Sequence, residues 1–108
     1  MRAPVSLAIA VAMIAPGLTL AADGLSTQRK SELRHLLQQD CGSCHGITMK
    51  GGLGSPLLPS VIAEKADEAL IEAILHGVPG TPMPPWASEL TRQDATWLVE
   101  LLRDGAGK

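Results

Sequence analysis

The chain has 108 residues, of which 9 are lysine or arginine and 11 are aspartate or glutamate, so its formal net charge at pH 7 is −2. This weakly acidic balance, without a basic run or an aromatic stacking platform, argues against nucleic acid as a partner. There are two tryptophans, no phenylalanine or tyrosine, and two cysteines. A single small domain of this kind buries a low fraction of its surface and needs a stabilising element beyond its own side chains.

Residues 1–22 have the pattern of a secretory signal peptide. A basic residue precedes an apolar run from Val5 to Ile14, and a stretch of small residues ends at Ala21 and Ala22. The apolar run is shorter than the roughly 20 residues that a membrane-spanning helix needs, so an uncleaved anchor is the weaker alternative. We expect cleavage after Ala21 or Ala22, export, no stable membrane insertion afterwards, and a mature domain of residues 23–108.

Three later segments have helical spacing and none alternates convincingly with period two, so the predicted fold class is all-α. The first helix is predicted over residues 26–39. The second runs from Asp67 to Leu75 with Gly77 as its terminator. The third begins at Thr91, which is paired with Asp94 as a capping box. The apolar positions that define these helices are Leu33, Leu36 and Leu37; then Ala69, Leu70, Ile74 and Leu75; then Trp97, Leu98, Leu101 and Leu102.

The motif Cys41-Gly42-Ser43-Cys44-His45 follows the first predicted helix. Two thiols at this spacing with a histidine directly after the second are typical of c-type haem attachment. Each sulfur adds to one vinyl group of the porphyrin, and the histidine then lies beneath the ring as an iron ligand. The alternatives are a thioredoxin-like disulfide or half of a zinc site. The chain has no second cysteine pair for zinc, so we expect one covalently bound haem c.

The segment of residues 46–55 contains four glycines and is predicted to be an irregular loop. Flexible backbone is useful here, because the chain must bend closely around a ring edge. Met49 lies in this loop only four residues after the motif, too close to reach the opposite face of the ring. We expect Met49 to touch the haem edge instead.

Met83 is the predicted iron ligand opposite the histidine. Pro82 and Pro84 flank it, forbid a helix and fix the local backbone, which suits a loop that presents one side chain. A thioether in this position favours ferrous iron and raises the reduction potential. The alternatives are that Met83 fills a gap in the core, or that His76 at the end of the second helix is the ligand.

The chain has an attachment motif near its start, a glycine-rich loop after it, and a proline-flanked methionine ahead of the last helix. With these three features, it resembles class I cytochromes c over its whole length after residue 22. The resemblance implies a small fold of three to four helices around one haem, with the first and last helices crossing. It makes Cys41 and Cys44 the thioether links. It makes His45 the proximal ligand and Met83 the distal ligand of the iron.

The resemblance also implies two further cofactor-binding residues, Pro56 and Leu58, and we expect Trp86 to be a third. The backbone carbonyl of Pro56 would accept the proximal imidazole N–H, which orients the ring and makes it more basic. Leu58 would pack on the haem face. Trp86 would lie at the exposed haem edge, in an apolar rim whose other members are Gly46, Met49 and Leu53.

The chain departs from class I cytochromes at the helix crossing. Those proteins usually have a glycine and an aromatic residue there, and the first helix of this chain has neither. Leu33 and Leu37 packed against Trp97 would have to replace them.

Within that class, residues 39–46, 50–54 and 79–86 are similar to the small periplasmic cytochromes c of the c55X or NirC type, which are found with cytochrome cd1 nitrite reductase. The resemblance implies a periplasmic single-electron carrier without catalytic residues, which donates electrons to that reductase in denitrification. Two alternatives stay open. The protein could assist maturation or insertion of haem d1, or it could be a haem-based sensor in which a ligand displaces Met83.

Overall fold

The computed structural model describes residues 1, 3–15 and 23–106. Residues 3–15 form no regular element and are exposed. Among the described residues, no helix has the length and apolar character required to cross a membrane. The expected cleavage positions, Ala21 and Ala22, lie outside the described residues, so the signal peptide stays a prediction.

Residues 23–106 form a helical domain, and no β-strand occurs within this range. The all-α prediction is confirmed, and two single-turn helices are added to the three predicted ones. The elements in chain order are α1 (Thr27–Leu36), a π-helical segment (Leu37–Cys41), α2 (Gly42–His45), α3 (Pro59–Ile62), α4 (Asp67–His76) and α5 (Arg92–Arg103).

The first helix does not end near Gln39 as predicted. It begins after Ser26, whose hydroxyl accepts a hydrogen bond from the Arg29 N–H at 3.0 Å. It then passes without a break through the π-helical segment into α2, which ends at His45. A π-helical turn holds more residues than an α-helical turn, and Leu37 at its start stays buried. The attachment motif is therefore carried on a continuous helical path.

The predicted starts of the two later helices are confirmed, and α4 extends one residue beyond the predicted Leu75. α4 starts after Ala66 and ends at His76, with Gly77 as its C-cap. Its buried positions are Ile71 and Leu75, whereas Ala69, expected on the apolar face, is exposed. α5 has the predicted capping box, in which Thr91 and Asp94 each bond the other's backbone N–H, at 3.1 and 3.0 Å.

α1 contacts α5, and both helices contribute residues to the buried cluster. Leu33, Leu37 and Trp97 all belong to this cluster, and their packing at a helix crossing stays a prediction. A contact that was not predicted adds to it. The Arg29 guanidinium on α1 forms a 2.7 Å ion pair with the carboxylate of Asp94 on α5, whose side chain is only 3% exposed. A charged pair therefore joins the terminal helices beside their apolar contact.

Candidate haem site

The two cysteines have different environments at the end of the π-helical segment and in α2. Cys41 is half-buried and Cys44 is exposed, and both are free thiols. Burial, helped by the negative charge of Asp40, raises the pKa of the Cys41 thiol to about 11. A raised pKa lowers the fraction of Cys41 that is thiolate at neutral pH. The thioether links of both cysteines stay a prediction.

The imidazole of His45 has a defined hydrogen-bond partner. Its Nδ1 lies 2.7 Å from the backbone carbonyl oxygen of Ser55. A carbonyl can only accept, so Nδ1 carries a proton, and in the neutral imidazole Nε2 then keeps a free lone pair. This is the tautomer that a histidine needs to bind a metal through Nε2, with its other nitrogen oriented by a carbonyl. His45 therefore fits an axial role toward haem iron.

The identity of this acceptor corrects one expectation. The carbonyl belongs to Ser55 and not to Pro56, although both take part in the same peptide bond. A proline restrains the residue before it to an extended conformation, and this restraint helps to fix the direction of the Ser55 carbonyl. The ring of Pro56 lies over Gly51, where an added Cβ would be 3.2 Å from the proline Cγ. Its expected contact with haem stays a prediction.

The glycine-rich loop is ordered by backbone bonds to the attachment motif. The N–H of Gly54 donates to the carbonyl of Cys44, and that of Gly51 donates to the carbonyl of His45, both at 2.8 Å. A Cβ on Gly54 would lie 2.9 Å from both Nδ1 and Cε1 of the His45 imidazole. Gly54 is therefore a site residue that sequence reasoning missed. The only sign of this role in the sequence is that Gly54 lies two residues before Pro56.

Met49 lies in the core and not on the exposed rim where it was expected. Its side chain is 1% exposed, and its backbone φ of 60° is unusual for a residue with a side chain. The N–H of Leu57 donates to the Met49 carbonyl at 2.8 Å.

A cavity of about 320 Å³ is lined by residues 48–50, 57–59 and 105–106. Leu58 is among them, and its expected packing on the haem face stays a prediction.

Met83 lies half-buried in the loop between α4 and α5. Its carbonyl accepts a hydrogen bond from the Val78 N–H at 3.3 Å. Its own N–H donates to the hydroxyl of Thr81, also at 3.3 Å. Both backbone polar groups of Met83 are thus held by residues just before it in the same loop.

The Met83 loop is also attached to the end of α4. The Trp86 N–H donates to the carbonyls of Ile74 and Leu75, each at 3.1 Å. Gly77, with a φ of 70°, packs so closely that an added Cβ would lie 2.7 Å from the Met83 carbonyl oxygen. The position of Met83 in the fold therefore depends on the contacts of its loop with the end of α4.

His76, the alternative ligand, has a different surrounding. Its side chain is 63% exposed, and its Nε2 lies 3.5 Å from a carboxylate oxygen of Glu72. Glu72 in turn pairs with Arg92 at 2.9 Å. His76 thus belongs to an exposed charged cluster between α4 and α5, which makes it a weaker candidate than Met83.

Comparison with known proteins agrees with this arrangement. A family model described as "Cytochrome C oxidase, cbb3-type, subunit III" matches residues 28–102. The chain is 48% identical to cytochrome c55X of Pseudomonas aeruginosa, over 92% of this chain and 83% of that protein. It is 51% identical to cytochrome c55X of Paracoccus denitrificans, over 68% of this chain and 72% of that protein. The solved structure of the c-type cytochrome NirC matches with a TM-score of 0.74 and 51% identity, over 75% of this chain and 95% of that one.

The fold, the attachment motif and these matches define the chain as a c-type cytochrome, an electron-transfer protein with covalently bound haem c. It belongs to the cytochrome c55X family, the NirC type. The predicted family, fold and cofactor are confirmed.

A further relative is much larger. The chain is 36% identical to dihydro-heme d1 dehydrogenase of Pseudomonas aeruginosa over 82% of this chain, but over only 18% of that protein. The solved structure of dihydro-heme d1 dehydrogenase NirN in complex with DHE matches with a TM-score of 0.60 and 38% identity, over 64% of this chain and 15% of that one. A cytochrome module like this chain therefore occurs inside a larger protein.

Proposed function

We propose that this cytochrome is a periplasmic single-electron carrier in which Cys41 and Cys44 form the thioether links and His45 and Met83 coordinate the iron. The haem iron supplies the chemistry by taking up and releasing one electron. The observation that carries the proposal is the 2.7 Å contact between His45 Nδ1 and the Ser55 carbonyl, because it leaves Nε2 free for a metal. The periplasmic location rests on the signal-peptide pattern of residues 1–22.

The surroundings of Met83 favour a carrier over a sensor or an enzyme. Between Val78 and Trp86, Thr81 is the only residue with a hydroxyl, carboxyl, amide or imidazole group. Its hydroxyl donates to the Val78 carbonyl and accepts from the Met83 N–H. Between Val78 and Trp86, no side chain is left to act as an acid, a base or a hydrogen-bond donor to a bound gas, as a distal pocket that activates a ligand requires.

The role of Met83 is tested by replacing it with alanine. We expect Met83→Ala to abolish the near-infrared charge-transfer band of the thioether–iron bond in the ferric protein and to lower the reduction potential, because the thioether favours ferrous iron. Met49→Leu is the matched control, since it removes a second thioether from the core at nearly constant volume. It should keep the band. An unchanged band in Met83→Ala would remove Met83 from the proposed role.

We propose that cytochrome cd1 nitrite reductase is the electron acceptor, on the strength of the resemblance to c55X and NirC cytochromes. Docking would use the surface beside the attachment motif. Cys44 is exposed there, and Ile47 and Leu53 are 77% and 94% exposed on the loop that bonds to the motif. Small, brief interfaces are typical of redox partners.

This surface is tested by Leu53→Asp in stopped-flow mixing of reduced cytochrome with oxidised nitrite reductase. We expect the second-order rate constant to fall about fivefold or more, since a central apolar contact is replaced by a charge. Val61→Asp on α3 is the control, an exposed aliphatic residue outside the loop, and should change the rate much less. Equal slowing by both variants would contradict docking at this surface.

A second candidate function is favoured by the match to dihydro-heme d1 dehydrogenase. A dehydrogenation releases two electrons and two protons, so a one-electron carrier would accept the electrons in two successive transfers. The oxidised cytochrome should then be reduced when it is mixed anaerobically with that dehydrogenase and dihydro-haem d1. A strain lacking the cytochrome separates the two functions. If its nitrite reductase lacks haem d1, the result favours a role in maturation. If the reductase is complete but receives too few electrons, the result favours the role of electron carrier.

A further inference from the structure

The proline-rich loop leaves Met83 with an unusual backbone environment. Pro82, Pro84 and Pro85 have no N–H, so Met83 carries the only backbone donor in residues 82–85. That N–H donates to the Thr81 hydroxyl at 3.3 Å. The three prolines contribute only backbone carbonyls, which can accept a hydrogen bond but cannot donate one.

The Thr81 hydroxyl has a second partner that fixes its own position. It donates to the Val78 carbonyl at 2.7 Å, and the Thr81 N–H donates to the same carbonyl at 3.1 Å. The Val78 N–H in turn donates to the Met83 carbonyl at 3.3 Å. These three residues form a closed ring of hydrogen bonds, which we call the 78–81–83 clasp. Within it, the Thr81 hydroxyl links the backbone of Val78 to the backbone of Met83.

The residues of the clasp other than Met83 contribute little to the packing of the core. Thr81 is exposed, as is Val78, so neither residue contributes much to the core. A threonine hydroxyl that bonds to nearby backbone usually defines a local turn. Here the residue whose backbone is held at both its N–H and its C=O is the one proposed to coordinate the iron.

We propose that Thr81 is a positioning residue for Met83, and that its hydroxyl strengthens the thioether–iron bond by restricting where the Met83 backbone can lie. This inference rests on the proposed function, in which Met83 is a ligand. A looser clasp leaves His45 and the haem attachment untouched. It makes Met83 easier to displace by an added ligand, because the thioether must then be ordered at the moment of binding.

The test is the affinity of the ferric holoprotein for imidazole, which competes with Met83 for iron. We expect Thr81→Val, nearly isosteric but without the hydroxyl, to bind imidazole about five- to tenfold more tightly, the effect of about one hydrogen bond. The near-infrared thioether band should weaken in parallel. Thr81→Ser keeps the hydroxyl and should restore both values toward wild type.

Thr96→Val is the matched control for a lost threonine hydroxyl. Thr96 lies on α5, is exposed, and donates to the Arg92 carbonyl at 2.8 Å, away from the Met83 loop. It should leave imidazole affinity unchanged. Thr81→Ala replaces Thr81→Val if the valine variant does not give folded holoprotein, and the same increase is expected.

Two results would overturn the inference. One is wild-type imidazole affinity in Thr81→Val, or in Thr81→Ala where that variant replaces it, and the other is an equal increase in Thr96→Val. These results differ from failure of the proposed function, which would appear as an unchanged near-infrared band in Met83→Ala. If Met83 is a ligand and the Thr81 variants behave like wild type, only the positioning role is wrong.

Discussion

Replacing Arg29 with methionine is expected to lower the free energy of unfolding by about 3 kcal/mol, because it leaves a buried carboxylate without its partner. Arg29 binds Asp94 through two nitrogens, at 2.7 and 3.2 Å, and Asp94 is 2% exposed. Arginine and methionine have similar helix propensities, so α1 itself is little affected. The Arg29 side chain is 33% exposed, and water can reach part of the gap, so the loss should lie at the low end for a buried pair.

Arg92→Met is the matched control for this prediction. Arg92 also pairs with two carboxylates, Glu68 and Glu72, but all three side chains are about half exposed or more. Exposed pairs contribute about 1 kcal/mol or less, and a cation at the first residue of α5 is unfavourable to the helix dipole. Urea unfolding of the holoproteins should therefore separate the two variants clearly. Equal losses would mean that burial of Asp94 does not determine the effect.

The same pair predicts a pH dependence. The hydrogen-bonded ion pair with Arg29 holds the pKa of Asp94 below its usual value, against the opposing effect of burial. A lowered folded-state pKa contributes stability that is present above the unfolded value of about 3.9 and is lost as pH falls through the folded value. The difference in stability between wild type and Arg29→Met should be constant near neutral pH and shrink below about pH 4. A constant difference at acidic pH would contradict this role for Asp94.

The parts of the fold that could be predicted from the sequence are those with local physical causes. The start of α5 follows from the capping box of Thr91 and Asp94, a contact over three residues. The end of α4 at Gly77 follows from glycine's freedom to adopt a positive φ. The attachment motif is local as well, so its chemistry follows from the identity and spacing of five consecutive residues.

The parts that could not be predicted depend on distant or cooperative contacts. Arg29 and Asp94 are 65 residues apart, and neither carries a signal that it will meet the other. Met49 has a positive φ that sequence reasoning assigns to glycine, and its burial depends on the surrounding core. The Ser55 carbonyl, not that of Pro56, faces His45 because backbone direction is set by the whole folded loop.

Replacing Gly77 with alanine is expected to break the support of Met83 from the α4 side. Gly77 has a φ of 70° and a ψ of −177°, a region almost restricted to glycine. An added Cβ would also lie 2.7 Å from the Met83 carbonyl oxygen and 3.0 Å from both Pro84 C and Pro85 N. All three are backbone atoms, so relief requires the loop to move. We expect a loss of about 3 kcal/mol from strain and overpacking together, with the thioether band strongly reduced.

Gly80→Ala separates backbone strain from displacement of Met83. Gly80 also has a positive φ, 78°, but an added Cβ there meets nothing within 4 Å. It should cost about 1 to 2 kcal/mol from the backbone alone and keep the thioether band, measured in the near infrared beside a urea titration. Carbon monoxide should bind the ferrous Gly77→Ala protein readily and the Gly80→Ala protein as slowly as wild type. If both variants kept the band and resisted carbon monoxide, close packing of Gly77 would not be what holds Met83, and the hydrogen bonds from Val78 and Thr81 would be sufficient by themselves.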